Sequence, residues 1–246
     1  MRPRPHVRPI HPGATVVRDS DPAVPMPSRH GPVLVRGLGE VGSAVAYWLF
    51  TAGCAVALHD EAPERVLRRG HSFADAAIEG FARLEGIGAH RLRDPAEIGE
   101  SLFRAPTIPV LCMDADAALT AAPWRAVVDA RPHDPGLPDG SVVLTSPMGG
   151  LFRTLLSIGA WVPRGKFVGM VGNALLWAPQ DGVLTGLMRD GTRVERDMPL
   201  IEIGPPGACP FGIAPAPRRI AEDVLQGLPS PVGTGPPSRR SGRRPR

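Results

Sequence analysis

Three glycines near the start of the chain have the spacing of a phosphate-binding loop. Gly37, Gly39 and Gly42 form the pattern GxGxxG, which follows the apolar run 33–35 and precedes a helical pattern. In such a loop the first glycine makes the tight turn, the second lets a pyrophosphate approach the backbone, and the third lets helix and strand pack closely. The helix N-terminus adds unpaired N–H groups and the positive end of a dipole. Asp60 follows 23 residues after Gly37 and could accept from a ribose hydroxyl, so these four residues predict a dinucleotide site.

The elements around this loop predict an α/β domain. Apolar residues at helical spacing follow the glycines, Gly53 closes that helix, and residues 55–58 predict a second strand. Asp94 and Pro95 predict the N-cap and first turn of a later helix. Further strand candidates are 108–112, 126–129 and 141–145. We therefore expect residues 33–146 to form a doubly wound parallel sheet of the Rossmann type.

Four acidic residues lie at or near the predicted ligand edge of this sheet. Asp114, Asp116 and Asp129 sit at or after predicted strand ends, where open α/β sheets bind ligands. We expect them to be helix caps or solvated loop acids. Glu40 lies inside the glycine loop, where its charge would oppose a bound phosphate.

The second half of the chain repeats one β-pattern after 32 residues, so that 159–172 corresponds to 191–204. The matching pairs are Val162 with Val194, Val168 with Leu200, Val171 with Ile203, and Gly172 with Gly204. Alternating apolar residues with glycines at the turns are typical of strands. One copy is too small to bury its own apolar face, so two copies related by a pseudo-twofold axis would close a small barrel. We expect this barrel and a C-terminal helix in residues 147–228.

The two ends of the chain differ in composition from its body. Residues 1–32 contain eight prolines and five arginines, and residues 229–246 contain five prolines and five arginines. Such segments predict disordered tails, because they cannot bury enough apolar surface to fold. The tails carry a formal charge of +8 against a total of +4, which leaves the body near −4, so nucleic acid is not an expected partner.

The cysteines and the hydropathy of the sequence indicate the cellular compartment. Cys54, Cys112 and Cys209 are far apart and form no CxxC pair, which argues for a reducing environment and against a disulfide framework or a metal site. No apolar run reaches the ~18 residues that a membrane span needs, and the basic N-terminus has no apolar signal core. We expect a cytoplasmic protein without a membrane anchor.

A glycine-loop domain followed by a duplicated barrel resembles the YqeB family. The segments that carry the resemblance include GLGEVGSAVAYWLFTAG at 37–53, RRGHSFADAAIEG at 68–80 and GVLTGLMRDGTRV at 182–194. This family comprises accessory proteins of selenium-dependent molybdenum hydroxylase systems and is grouped with the XdhC/CoxF maturation factors. The resemblance implies a maturation factor that binds a nucleotide or a molybdopterin cofactor in the Rossmann crevice and docks on a hydroxylase apoenzyme through the barrel.

The barrel itself resembles the biotinyl/lipoyl carrier domain but lacks the carrier lysine. The connection 173–182 between the copies contains no lysine, and the single lysine, Lys166, lies inside the first copy. We expect neither biotin nor lipoate. Where the family has a long central segment with glycine and histidine, this chain has only SVVLTSPMGG at 141–150, which indicates a deletion. Trp161 and Trp177 are either docking anchors or core residues.

Two other functions use the same glycine loop. An NAD(P)-dependent oxidoreductase would need a catalytic set, for which the chain offers only the lone histidines His59, His71 and His133. The single tyrosine, Tyr47, lies in the first helix without a YxxxK motif. A non-catalytic nucleotide sensor or remnant would need no such set. Catalytic residues and oligomeric state stay open.

Overall fold

The strands of the protein divide between one mostly parallel sheet and two antiparallel sheets. The computed structural model describes residues 31–131 and 136–227. Residues 1–30 and 228–246, which contain nearly all of both predicted tails, lie outside the described residues. The mixed α/β architecture expected from the sequence is confirmed.

The first unit, residues 33–131, follows the predicted alternation of strands and helices. Its elements are β1 (Val33–Arg36), α1 (Glu40–Thr51), β2 (Val56–His59), α2 (Ala74–Glu79), β3 (Phe81–Leu84), β4 (Ile87–Arg91), α3 (Ile98–Arg104), β5 (Ile108–Leu111), α4 (Ala115–Thr120) and β6 (Ala126–Asp129). Short 3-10 helices cover Pro63–Arg65, Arg69–His71 and Pro95–Glu97. The Asp94 carboxylate accepts from the Ala96 N–H at 2.9 Å, as expected of an N-cap.

The sheet of the first unit has the order β3-β4-β5-β2-β1-β6. All neighbouring pairs are parallel except β3 with β4, which form an antiparallel hairpin at one edge. Every residue of β2 and β5 is buried, as expected of strands covered on both faces. The chain passes from β5 to the far side of β1 to form β6, so the carboxyl ends of β1 and β6 meet where the strand order reverses.

The second unit, residues 142–204, consists of two four-stranded antiparallel sheets. Its strands are β7 (Val142–Thr145), β8 (Gly150–Arg153), β9 (Trp161–Val162), β10 (Phe167–Val171), β11 (Ala174–Trp177), β12 (Gly182–Leu187), β13 (Arg193–Val194) and β14 (Pro199–Gly204). The sheet orders are β11-β10-β8-β13 and β7-β14-β12-β9. The strand predicted at 141–145 therefore pairs with β14 of this unit, and not with the parallel sheet.

The two copies of the repeated pattern exchange their short strands. Val162 on β9 of the first copy lies opposite Gly182 on β12, and Val194 on β13 of the second copy lies opposite Gly150 on β8. These two pairs are the same two positions shifted by 32 residues. Both copies contribute to one buried core, which contains Phe152, Val162, Val168, Val171, Leu184, Val194, Leu200 and Ile203. The second copy thus completes the core of the first.

The C-terminal helix α5 (Pro215–Gly227) returns to the first unit and packs along α1. Ala221 is buried in the core around α1, and the Arg218 guanidinium lies 5.9 Å from the centre of the Trp48 ring. Helix α5 therefore belongs to the packing of the first unit although it follows the second along the chain. None of the described helices is long and apolar enough to cross a membrane.

Candidate functional site

The glycine loop forms a tight turn between β1 and α1, and each glycine has a different environment. Gly37 has a φ of +111°, a conformation that favours glycine. A Cβ on Gly42 would lie 1.9 Å from the Gly37 carbonyl oxygen, so only glycine allows this close approach of helix and turn. A Cβ on Gly39 would meet no described atom within 4 Å. Gly39 is also the N-cap of α1, so the first N–H groups of that helix face the open side of the turn.

Asp60 lies beside this turn, at the carboxyl end of β2. One carboxylate oxygen accepts from the Leu38 N–H at 2.9 Å, and the other accepts from the Ala62 N–H at 2.9 Å. Because an ionised carboxylate has about four acceptor positions, these bonds leave capacity for a further donor. The structure thus brings together all four residues predicted to bind a dinucleotide.

A cluster of three charged residues lies at the point where the strand order reverses. Arg131 donates to both oxygens of Asp129, at 2.9 and 2.6 Å, and its Cγ is 3.2 Å from the position of a Cβ on Gly37. The hydrogen bond from Arg131, with a smaller effect of Arg36, lowers the pKa of Asp129 to about 2. The buried Nε of Arg36 has no hydrogen-bond partner in the part of the chain that the structure describes. With Asp60, which lies beside the same turn, these groups carry no net formal charge.

A second charged cluster joins the N-terminus of α1 to the second unit. Arg68 donates to Glu40 at 2.7 Å and to Glu202 on β14 at 2.5 Å. The side chains of Arg68, Glu40 and Glu202 are 11, 9 and 2% exposed. The other oxygen of Glu202 accepts from the Thr185 hydroxyl at 2.8 Å. Arg68 therefore neutralises the loop carboxylate that would oppose a phosphate, and the three charged groups together carry a formal charge of −1.

Residues 66–71, which we call the strap, hold the two units together. The Leu67 carbonyl accepts from the Leu187 N–H at 2.9 Å, and the Arg69 Nε donates to the Leu187 carbonyl at 3.1 Å. A Cβ on Gly70 would lie 2.2 Å from the Pro210 carbonyl oxygen. The strap thus joins the two units. Its segment RRGH, at 68–71, showed no such role in the sequence.

A crevice of about 660 Å³ lies between the strap, the N-terminus of α1 and the second unit. It begins at Gly39 and Glu40 and extends to Glu202 on β14. Most of its wall is apolar and includes Val66, Leu67, Leu137, Val143, Met188 and Met198. The sequence did not reveal this crevice, because its walls come from segments that are distant along the chain.

The histidines proposed for an oxidoreductase have structural contacts. His59 is fully buried, and its Nε2 donates to the Met113 carbonyl at 2.8 Å. The Nδ1 of His71 donates to the Gly212 carbonyl at 2.6 Å, which ties the strap to the segment before α5. His133 lies outside the described residues. Tyr47 packs edge-on against Trp48 in α1.

The remaining acidic and metal-ligating candidates form no shared site. The Asp114 carboxylate accepts from the Ala117 N–H at 2.9 Å and caps α4, as expected. Within residues 31–131 and 136–227, no group of three or more His, Cys, Asp or Glu residues could hold a metal ion.

Two tryptophans of the second unit are exposed. Trp161 on β9 and Trp177 on β11 are 52 and 51% exposed, so neither is a core residue. Trp177 packs edge-on against Phe167, with 5.7 Å between the ring centres. Together with the exposed Leu175, these aromatic side chains give the second unit an apolar outer surface.

Comparison with known proteins gives one relative in sequence. The chain is similar to YqeB. This uncharacterized protein of Escherichia coli (strain K12) is 24% identical over 275 aligned positions, which cover 88% of this chain and 50% of that protein. The chain therefore spans about half the length of this curated relative. No protein-family model matches the chain.

Comparison with solved structures gives only weak likenesses. A single-chain, multi-domain long-chain acyl-CoA carboxylase is 19% identical, with a TM-score of 0.27, over 29% of this chain and 8% of that one. The product-bound ectoine utilization protein EutE (DoeB) from Ruegeria pomeroyi is 11% identical, with a TM-score of 0.28, over 72% of this chain and 85% of that one. Scores this low support no argument about fold or function.

Proposed function

We propose that the protein is an accessory factor for a molybdenum hydroxylase that binds a nucleotide or a molybdopterin-type cofactor at the glycine turn. The observation that carries the proposal is that the three glycines have three different backbone environments. Gly37 makes a turn at positive φ, Gly42 packs against it, and Gly39 faces open space. These are the three roles that a dinucleotide-binding fingerprint requires.

The strand order supports a Rossmann-like assignment of the first unit. In this assignment the hairpin β3-β4 is an addition at one edge, although β4 itself pairs parallel with β5. Without the hairpin, the strands β5-β2-β1-β6 have the order third, second, first, fourth, which is the centre of the doubly wound arrangement. Ligands of such sheets bind where the order reverses, and here Arg36 and Arg131 add positive charge at that point.

The second unit supports a docking role in this proposal. In the biotinyl/lipoyl-like interpretation, the carrier lysine would stand at a hairpin tip. The tip between β10 and β11 is Gly172–Asn173, and Lys166 lies exposed in a different turn. Trp161 and Trp177 offer exposed aromatic anchors, which often dominate protein contacts. The accessory role and the deletion of a central segment are parts of this proposal that rest on the resemblance of the sequence to the YqeB family.

The first test is ligand capture. The purified full chain should retain a nucleotide or pterin detectable by mass spectrometry after denaturation. Gly39→Val should remove it, because the added side chain fills the space where a phosphate meets the backbone. Its melting temperature should fall by only a few degrees, since the site is open and replacing glycine at the N-cap of α1 costs about 1 kcal/mol. Unchanged ligand retention in this variant would place the ligand elsewhere.

The second test is biological. Deletion of the gene should leave normal amounts of the host's molybdenum hydroxylases but deplete their cofactor. Complementation with Gly39→Val should fail, and complementation with Leu119→Ala, which changes an exposed residue of α4, should succeed. Fully loaded and active hydroxylases in the deletion strain would refute the accessory role.

A non-catalytic nucleotide sensor is the second candidate. The burial of His59 and His71 favours it over an oxidoreductase, because each ring is bonded to a backbone carbonyl inside the fold and so has a structural role. Ligand retention together with unaffected hydroxylases would support this candidate. Hydride transfer from NADH or NADPH to a carbonyl substrate would instead support the oxidoreductase.

A further inference from the structure

We infer that the crevice between the two units takes the ring end of the bound ligand, a flat heteroaromatic group with N–H donors. The phosphate end of the same ligand would lie at the glycine turn, so this inference rests on the proposed function. The crevice shares Gly39 with that turn. One ligand can therefore reach from the glycine turn into the crevice.

The size and position of the crevice fit such a group. A volume of about 660 Å³ is within the range of small-molecule sites, which often lie between domains. Its walls come from the strap, from α1 and from β14 of the second unit. A ligand there would contact both units at once, whereas a phosphate alone would contact only the first.

The chemistry of the walls favours a flat ring. Val143, Met188 and Met198 give the second unit's side of the crevice an apolar surface. Methionine thioethers pack favourably against aromatic rings and adapt to their shape. On the opposite side, Val66 and Leu67 of the strap complete an apolar slot.

The carboxylate of Glu202 gives this slot a preference for hydrogen-bond donors. Glu202 lines the crevice, and its side chain is 2% exposed. An ionised carboxylate only accepts hydrogen bonds, and Arg68 and Thr185 each donate to one of its two oxygens. A ring that presents N–H groups, as purines and pterins do, matches the remaining acceptor positions.

The glycine turn and the crevice differ in the groups that they present. The turn offers the N-terminus of α1, where unpaired helix N–H groups and the positive end of the dipole favour a phosphate. The crevice is mostly apolar, and its four charged residues, Glu40, Arg65, Arg68 and Glu202, carry no net formal charge. The phosphate end is therefore favoured at the turn and the uncharged ring end in the crevice.

Calorimetric titration of the full chain tests this inference with separate probes for the two ends. Inorganic pyrophosphate probes the glycine turn alone, and ADP, GDP, CDP and NAD⁺ carry rings. Met198→Trp places a bulky side chain in the crevice at a half-buried position. It should weaken binding of the ring-bearing probes at least tenfold and change the affinity for pyrophosphate less than twofold.

Two further variants keep the test interpretable. Val143→Trp fills the same crevice from β7 and should act in the same way. Met148→Trp makes the same kind of change at an exposed methionine that does not line the crevice, and it should leave all affinities unchanged. Melting temperatures of all variants identify any that fail to fold.

The outcomes separate the inference from the proposed function. Ring-bearing probes that bind both filled variants as tightly as wild type would overturn the inference and leave the glycine turn as the site. Binding of pyrophosphate without any ring-bearing probe would also overturn it. If no probe binds the wild-type protein, the proposed function fails and the inference fails with it.

Discussion

Replacement of Arg68 by methionine should strongly destabilise the protein, because it leaves a buried carboxylate without its partner. Arg68 bonds to Glu40 and Glu202, and the Glu202 side chain is only 2% exposed. Removal of one member of a buried ion pair typically costs about 3–5 kcal/mol, since the remaining charge stays desolvated. A typical domain has only about 5–15 kcal/mol of stability in total. We therefore expect Arg68→Met to lose a large share of the free energy of unfolding.

A matched control removes an exposed pair of the same type. Arg153 and Asp190 lie 3.2 Å apart, and their side chains are 58 and 50% exposed. Exposed pairs contribute about 0–1 kcal/mol, so Arg153→Met should change the free energy of unfolding by no more than that. The double variant Arg68→Met/Glu202→Met removes the more deeply buried of the two carboxylates that Arg68 pairs with. It should regain part of the lost stability, because Glu40, at 9% exposed, still lacks its partner and the Thr185 hydroxyl loses its acceptor at a cost of about 1 kcal/mol.

Urea denaturation followed by circular dichroism measures these differences. Because Arg68 joins the two units, Arg68→Met should also lower the slope of the unfolding transition or split it, as one unit unfolds before the other. A loss of less than about 1 kcal/mol in Arg68→Met would refute the reasoning. So would a double variant that is no more stable than the single one, since the buried charge would then not be the cause.

Three further predictions test separate features. Gly42→Ala should cost about 3 kcal/mol or prevent folding, because its Cβ would lie 1.9 Å from the Gly37 carbonyl oxygen. Gly39→Ala introduces no clash, and the loss of glycine at the N-cap of α1 should cost no more than about 1 kcal/mol in the same urea assay. Burial lowers the pKa of the His90 side chain below that of an exposed histidine. The unfolded chain therefore binds a proton more readily than the folded protein, and stability is lost as the pH falls below about 6.5. His90→Gln removes this group, so the variant should lose less stability than wild type between about pH 7 and pH 5. Lys166 should carry neither biotin nor lipoate when the protein is isolated from cells, and intact mass spectrometry showing either addition would contradict the sequence argument.

Features encoded by neighbouring residues could be predicted from the sequence. The first strand and the glycine turn depend on Val33–Val35 and on three glycines within six residues, so the local pattern specifies them. The 32-residue repeat could also be predicted from the sequence, and the pairing of Val162 with Gly182 agrees with it. The partner of the strand at 141–145 could not be predicted, because its short apolar run, VVL, fits a strand of either unit. Only the pairing with β14 decides it.

Contacts between distant segments could not be predicted in the same way. Arg68 and Glu202 are 134 residues apart, and no periodicity connects them. The packing of α5 on α1 likewise joins the two ends of the described chain. A helix pattern specifies which face is apolar, but not which surface it covers.

One sequence signal for the joint between the units does exist, and it lies in the differences between the two copies. The acidic Glu202 corresponds to Met170 in the first copy, 32 residues earlier. Glu202 is buried beside the strap, whereas Met170 is half-buried. Positions that serve the shared core stay apolar in both copies, since both halves bury them. A position that is apolar in one copy and charged in the other does not serve that core. Where the charged residue is buried, as Glu202 is, it indicates the face on which the second unit contacts another part of the chain.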